Sequence, residues 1–297
     1  MQQLAIGLAF LLAAASAGAT EARELGRLTA KAALVVDAQT GEVHFARNPN
    51  LQLPPASTTK ILTGLIALRQ MAPDDLMRVS TYASSMPPSK AYLRSGWSFE
   101  TRDLMYAMMM RSANDASVVI AEGVAGSVPN FARLMNATAR SFGATQSNFV
   151  TPNGLPAEGH YSTVHDMSLI MRQALQTPGM REIMSVRQTV IQPTTGSRKR
   201  IALRSTNKLL WRDDLHVIGK TGWTRKAKRC FVGAASANGR EVIVAVLGSN
   251  NLWADVELLT AYGLGQAVPG GAPPLPADLQ QAAVPGFRVP PDAQVWN

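Results

Sequence analysis

From residue 30 onward, short stretches of strand-like hydrophobicity bracket a long helical middle. Ala32 to Asp37 is apolar and partly β-branched, Ala38-Gln39-Thr40-Gly41 carries turn residues, and Glu42 to Arg47 alternates polar with apolar. This pattern predicts a β-hairpin. Pro54-Pro55 closes the connection that follows, because proline fixes φ and disfavours helix just upstream of itself. Ile61, Leu62, Leu65, Ile66 and Leu68 then recur at helical spacing, which predicts a helix beginning near Thr58. Residues 73–100 are mixed and loop-rich. Thr101 to Met110 predicts a helix with a methionine stripe, Met105, Met108 and Met109, of the kind that fills cores. Arg111-Ser112-Ala113-Asn114-Asp115 interrupts the helical pattern, which resumes over 116–124 and again from Val128 to Phe142, ending at Gly143. Pro152-Asn153-Gly154-Leu155-Pro156 is a turn cluster, and Thr163 opens a further helix.

The last third returns to strands. Gln188 to Gln192 and Lys199 to Leu203 flank Thr194-Thr195-Gly196, a second hairpin. His216 to Thr224, Cys230 to Ala237 and Glu241 to Leu247 follow, with Asn238-Gly239 as a strong hairpin turn. Leu252 to Leu264 closes the pattern as a helix. These elements predict a mixed α/β (α+β) fold: an antiparallel sheet flanked by helices, with residues 101–185 inserted as a helical block. The ends differ. Leu4 to Ala15 is an apolar run too short to span a bilayer, and Ala17-Gly18-Ala19 is a small-residue cleavage site, so residues 1–19 read as an export signal despite lacking a positive start. Residues 268–297 hold seven of the eighteen prolines and read as an extended tail. That leaves 20–267 as the folded domain.

Composition narrows the partners. The chain has 297 residues, is 46% hydrophobic, and carries a formal net charge of +9, which favours an anionic neighbourhood such as nucleic acid, a membrane surface or an acidic polymer. No zinc-finger spacing, ribonucleoprotein motif or basic-region heptad supports nucleic acid. A single cysteine, Cys230, in an apolar strand pattern excludes an internal disulfide and reads as a small buried hydrophobe. No metal-ligand spacing appears, and His44, His160, His165 and His216 read as surface or structural, so no cofactor is expected. The basic run from Arg225 to Arg229 reads first as a solvated face.

Candidate chemistry lies in three short motifs that occur in order: Ser57-Thr58-Thr59-Lys60, Ser112-Ala113-Asn114 and Lys220-Thr221-Gly222. Each alone is weak, since serine is a favoured helix cap. Together, on a helix start, a loop between helices and a strand, they form a specific set. Ser57 and Lys60 are three residues apart on one helical face, so the amine can serve as the base that a serine nucleophile needs. Burial or a second cation, Lys220, would leave Lys60 neutral near pH 7. Ser112 can bridge the two amines and relay a proton to a leaving group. Asn114 can hold Lys60 and a substrate amide, Thr221 can meet a terminal carboxylate, and Gly222 can let substrate backbone approach the strand edge. The backbone N–H groups of Ser57 and Trp223 would form an oxyanion hole.

On these motifs the chain resembles the low-molecular-mass penicillin-binding proteins of the serine-type D-alanyl-D-alanine carboxypeptidase and endopeptidase family. The resemblance runs from about Ala32 to Gln266 and extends to Asp115-Ala116, Pro152-Asn153-Gly154-Leu155, His165-Asp166-Met167, Thr206-Asn207-Lys208-Leu209-Leu210 and the block Gly219 to Thr224. It implies a β-lactamase/transpeptidase-like fold, hydrolysis of peptidoglycan stem peptides at D-Ala bonds, and covalent inhibition by β-lactams. The family commonly has Ala-Gly where this chain has Ala227-Lys228, which puts the shape of that loop in question. The proline-rich tail matches neither the C-terminal β domain nor the membrane-anchoring helix of many carboxypeptidases, so an unanchored, exported member is expected, at most weakly held to wall or membrane by charge. Two other readings stand beside this one. A class A β-lactamase requires a glutamate-held water, but no Glu-x-x-Leu-Asn segment lies between Asn114 and Lys220. A non-catalytic wall-binding protein would have no need of the intact motif residues.

Overall fold

The strands predicted near the two ends of the chain meet in one sheet. The computed structural model describes residues 25–212 and 215–266, so the predicted signal segment and proline-rich tail lie outside the described residues. The strands are β1 (Ala32–Asp37), β2 (Val43–Arg47), β3 (Leu76–Arg78), β4 (Ser98–Glu100), β5 (Gln188–Ile191), β6 (Ile201–Arg204), β7 (His216–Thr224), β8 (Lys228–Ala237) and β9 (Arg240–Ser249). The helices are α1 (Lys60–Gln70), α2 (Thr81–Ser84), α3 (Thr101–Met110), α4 (Asn114–Ala125), α5 (Val128–Ser141), α6 (Val164–Gln176), α7 (Met180–Ser185) and α8 (Leu252–Leu264). The main sheet has five strands in the order β2-β1-β9-β8-β7, and every pairing in it is antiparallel. The expected mixed fold, with its antiparallel sheet and helical block over 101–185, is the fold observed.

Period-2 alternation explains how the sheet is buried. Leu34, Val36, Cys230, Val232, Ile243 and Ala245 face the cluster built with α1 and the inserted helices. Val35, Phe231, Val242, Val244 and Val246 face the opposite cluster, which α8 covers with Leu252, Val256 and Leu259. Strand β9 is apolar on both faces because both are covered. The three methionines of α3 are buried, as core filling requires. Asp255 of α8 closes the N-terminal side. Its buried carboxylate accepts hydrogen bonds from Thr29 N (2.9 Å), Thr29 Oγ1 (2.8 Å) and Ser249 Oγ (2.7 Å).

Two features of this arrangement position the site. Among the described residues β7 is an edge strand, so one row of its backbone groups has no sheet partner there. The second predicted hairpin does not join the sheet: β5 and β6 pair with each other alone, Gln188 opposite Arg204, against the end of α3. Among the described residues, no helix is long and apolar enough to cross a membrane.

Candidate active site

Ser57 sits on a 3-10 turn, Ala56–Thr59, that runs directly into α1. Ala56 enters it in a left-handed conformation (φ 49°), uncommon for a residue with a side chain. Two glycines show why the turn sits where it does. Gly154 has φ +78°, and a Cβ there would lie 1.8 Å from Ala56 O, so only glycine lets the 152–155 turn press against the nucleophile turn. On the other side, a Cβ on Gly222 of β7 would lie 2.8 Å from Ser57 N and 3.1 Å from Pro55 O. Gly222 therefore makes room for the protein's own Ser57 turn, a role for this glycine that the sequence did not suggest.

Lys60 is fully buried, and its ammonium nitrogen has three oxygen neighbours. Nζ donates to Ser57 Oγ at 2.9 Å, Asn114 Oδ1 at 2.9 Å and Asn153 O at 2.8 Å. The Asn114 amide orientation is fixed by its other end, where Nδ2 donates to Pro87 O at 3.0 Å. Two of the three neighbours, Asn114 Oδ1 and the Asn153 carbonyl, can only accept. A neutral amine has two N–H groups and one lone pair. With both N–H groups on those obligate acceptors, the lone pair faces the Ser57 hydroxyl, the one neighbour able to turn from acceptor to donor. Burial is the first cause that holds the Lys60 amine well below the usual lysine range. The nearby charge of Lys220 adds to it, and Asp115 opposes both.

Lys220 is likewise buried, and burial pushes its pKa down to about 7. Its Nζ donates to Thr221 O at 3.0 Å. The Thr221 hydroxyl lies 3.2 Å from the Thr206 hydroxyl, and Trp223 is largely exposed beside it. Ser112 occupies the loop between α3 and α4 with φ 58° and a partly exposed side chain. Its hydroxyl is bonded to neither amine, so the expected bridge is not formed. The Asn114 side chain reaches Lys60 at one end, as expected, and Pro87 at the other.

Three supports were not predicted. Asp115, fully buried, accepts from Ala91 N and Leu93 N at 3.0 Å each and so holds the loop ahead of α3 against the start of α4. Thr63 Oγ1 donates to Pro152 O at 2.6 Å, tying α1 to the same turn that meets Lys60. His160 accepts the Val150 N–H at Nδ1 (3.0 Å), so its proton sits on Nε2, facing Thr59 Oγ1 at 3.2 Å. Burial lowers its pKa to about 4, so the ring is a neutral brace behind the nucleophile turn. The turn chemistry of 152–156 is the sequence signal for the Thr63 contact; nothing in the sequence marks the other two. Cys230 is buried as expected, and burial raises its thiol to about 12. Lys228 takes φ 59°, a left-handed conformation uncommon for a residue with a side chain.

A serine whose hydroxyl faces a buried amine, beside a second amine and an open strand edge, is equipped for acyl transfer. Residues 17–251 match the family described as D-alanyl-D-alanine carboxypeptidase, Peptidase_S11. The chain belongs to that family. It is 31% identical to the D-alanyl-D-alanine carboxypeptidase DacF of Bacillus subtilis over 84% of this chain and 66% of that protein. It is 31% identical to DacB2 of Mycobacterium tuberculosis, over 77% of this chain and 80% of that protein. A D-alanyl-D-alanine endopeptidase of Escherichia coli is 28% identical over 94% of this chain and 92% of its own length. The crystal structure of a D-alanyl-D-alanine carboxypeptidase from M. tuberculosis superposes with a TM-score of 0.75 at 26% identity, over 83% of this chain and 95% of that one. The chain thus spans just under two thirds of DacF but nearly all of the endopeptidase.

Proposed function

We propose that this S11 family member is a serine DD-peptidase that hydrolyses D-Ala bonds in peptidoglycan stem peptides through an acyl-enzyme on Ser57, and that β-lactams acylate the same residue. The observation that carries this reading is the Lys60 environment, in which a neutral amine would have only Ser57 to face with its lone pair. In the first step the Ser57 hydroxyl proton passes to Lys60 Nζ, and Oγ bonds to the carbonyl carbon. The C–N bond then breaks, and the leaving amine takes the proton that Lys60 Nζ holds, with the Ser112 hydroxyl, which bonds neither amine in the free protein, turning inward to relay it. Water next attacks the ester carbonyl and gives a proton to Lys60 Nζ; the bond from the carbonyl carbon to Ser57 Oγ breaks, Oγ takes that proton, and the acid is released. The N–H groups of Ser57 and Trp223 would hold the oxyanion. Charged Lys220 and the Thr221 hydroxyl would hold the carboxylate next to the scissile bond.

The main reading is D-Ala-D-Ala carboxypeptidase. Cleavage of cross-links, as a DD-endopeptidase, is the second reading, and the nearly end-to-end match with an endopeptidase supports it. Incubation with a stem pentapeptide and with a cross-linked muropeptide dimer, followed by mass spectrometry, separates the two: free D-Ala marks the first, and conversion of dimer to monomers the second. Failure on both substrates by a chain that still takes penicillin would overturn the hydrolase reading. The cellular setting is part of the same proposal. The chain would be cut near Thr20, exported, and held to the envelope by its charge of +9. Release of the protein from envelopes by a molar-salt wash supports that, because exposed charges are then screened within about 3 Å; retention until detergent is added contradicts it.

A further inference from the structure

The main sheet ends at β7, and beyond it the separate β5–β6 hairpin packs against the end of α3. Along this hairpin lies an open groove of about 730 Å³, lined among others by Arg111, Gln188, Val190, Arg204, Ser205 and Thr206. That volume falls in the range of about 300–1,000 Å³ typical of ligand sites. The groove borders the candidate catalytic residues at two points. Arg111 directly precedes Ser112 in the loop after α3. Thr206 N donates to Met110 O at 3.0 Å, and the Thr206 hydroxyl meets that of Thr221 at 3.2 Å.

The lining includes two guanidinium groups and no carboxylate. Arginine stays charged at any working pH. The Arg204 guanidinium is held over the Trp211 ring, 4.1 Å from its centroid, so it is fixed without being neutralised. A groove of mixed apolar and polar lining with two cations suits a ligand that carries several carboxylates on an apolar framework.

Resting on the serine DD-peptidase reading, we propose that this groove is the subsite for the leaving strand of a cross-linked substrate, a second stem peptide carrying carboxylates of its own. The argument is one of position. Thr221 is where the carboxylate next to the scissile bond would sit, and the groove begins immediately past it, at Thr206. A single leaving D-alanine has no atoms beyond that carboxylate and leaves the groove empty. A leaving strand attached through a diamino acid continues into it, with its further carboxylates toward Arg204 and Arg111.

The test measures binding, so it does not depend on turnover. The Ser57→Ala chain is titrated with a cross-linked muropeptide dimer and with the matching pentapeptide monomer. The dimer should bind at least about tenfold tighter, and 0.5 M salt should shrink that preference. Arg111→Gln and Arg204→Gln, each on the Ser57→Ala background, should weaken dimer binding several-fold while changing monomer binding less than twofold. Arg111 lies outside the Trp211 contact, so its variant keeps the result readable if Arg204→Gln disturbs the fold. Equal affinities for dimer and monomer, or variants that weaken both ligands alike, would overturn the subsite. Absence of penicillin acylation in the unmutated chain would instead overturn the DD-peptidase reading, so the two failures are told apart.

Discussion

Replacing Gly222 with alanine isolates the contact between the edge strand and the nucleophile turn. Gly222 does not have a positive φ, so alanine brings no backbone strain, and its whole effect comes from the added methyl. That methyl would lie 2.8 Å from Ser57 N, 3.1 Å from Ala56 Cβ and 3.1 Å from Pro55 O. Comfortable contacts between carbon atoms lie at about 3.5–4.0 Å. Relief therefore asks for roughly 0.5 Å of separation between β7 and the turn, and two of the three contacts are to backbone, which cannot rotate away. Misplacing catalytic groups by about 1 Å can cost on the order of 10²-fold in rate. A shift of half that size, acting on Ser57 and on any oxyanion contact from β7 together, should slow penicillin acylation by about 10- to 100-fold. Overpacking of this kind costs about 1–3 kcal/mol, or several degrees in Tm for a domain of this size. The assay is the second-order rate constant for acylation by a fluorescent penicillin, read beside Tm. Gly239→Ala is the control, because Gly239 has φ +75° but nothing within 4 Å of the new methyl. It should lower Tm and leave acylation unchanged. A Gly222→Ala chain that acylates within threefold of the parent would refute the reasoning.

Lys60→Arg should lose acylation by at least about 10²-fold while staying folded, because arginine cannot take the Ser57 proton and general bases contribute about 10²–10⁴-fold; near-parental labelling of this variant would exclude Lys60 as base. The rate constant for acylation by an anionic β-lactam should fall as pH rises through about 7, where Lys220 loses its charge. Over the same range Tm should rise, because the unfolded lysine keeps its proton to about pH 10.4 and stability increases wherever the unfolded state binds more protons; a flat rate profile to pH 9 would contradict the assignment. Lys228→Gly should raise Tm by about 1–3 °C, since relief of a left-handed residue is worth about 1–2 kcal/mol and glycine's extra unfolded freedom returns about 0.5–1; a lower Tm would mean that the lysine side chain makes a stabilising contact of its own.

Much of the fold was legible because local pattern and tertiary role agree. Helix α3 and helix α8 have the predicted ends, and Asn238-Gly239 turns β8 into β9 with both residues at positive φ. What local pattern does not carry is which strands pair. The hairpin of β1 and β2 joins the sheet through β9, more than 200 residues later, and the β5–β6 hairpin is left outside it. Both outcomes depend on long-range packing that residue spacing does not encode. The site divides the same way. The Ser57–Lys60 contact follows from helical spacing alone. The Asn153 carbonyl on Lys60, the His160 brace and the clash that requires glycine at Gly222 come from segments distant in sequence pressing on one turn. Asn114 was placed correctly beside Lys60, but the Pro87 carbonyl that takes its other end has no sequence signal.

The most direct test of the central claim is the intact mass of the full chain after exposure to benzylpenicillin, followed by peptide mapping. The account predicts one stable penicilloyl adduct per chain, carried by Ser57, and none on the Ser57→Ala chain although it melts like the parent. An adduct mapped to another residue, retained in Ser57→Ala, or lost by rapid turnover would contradict it.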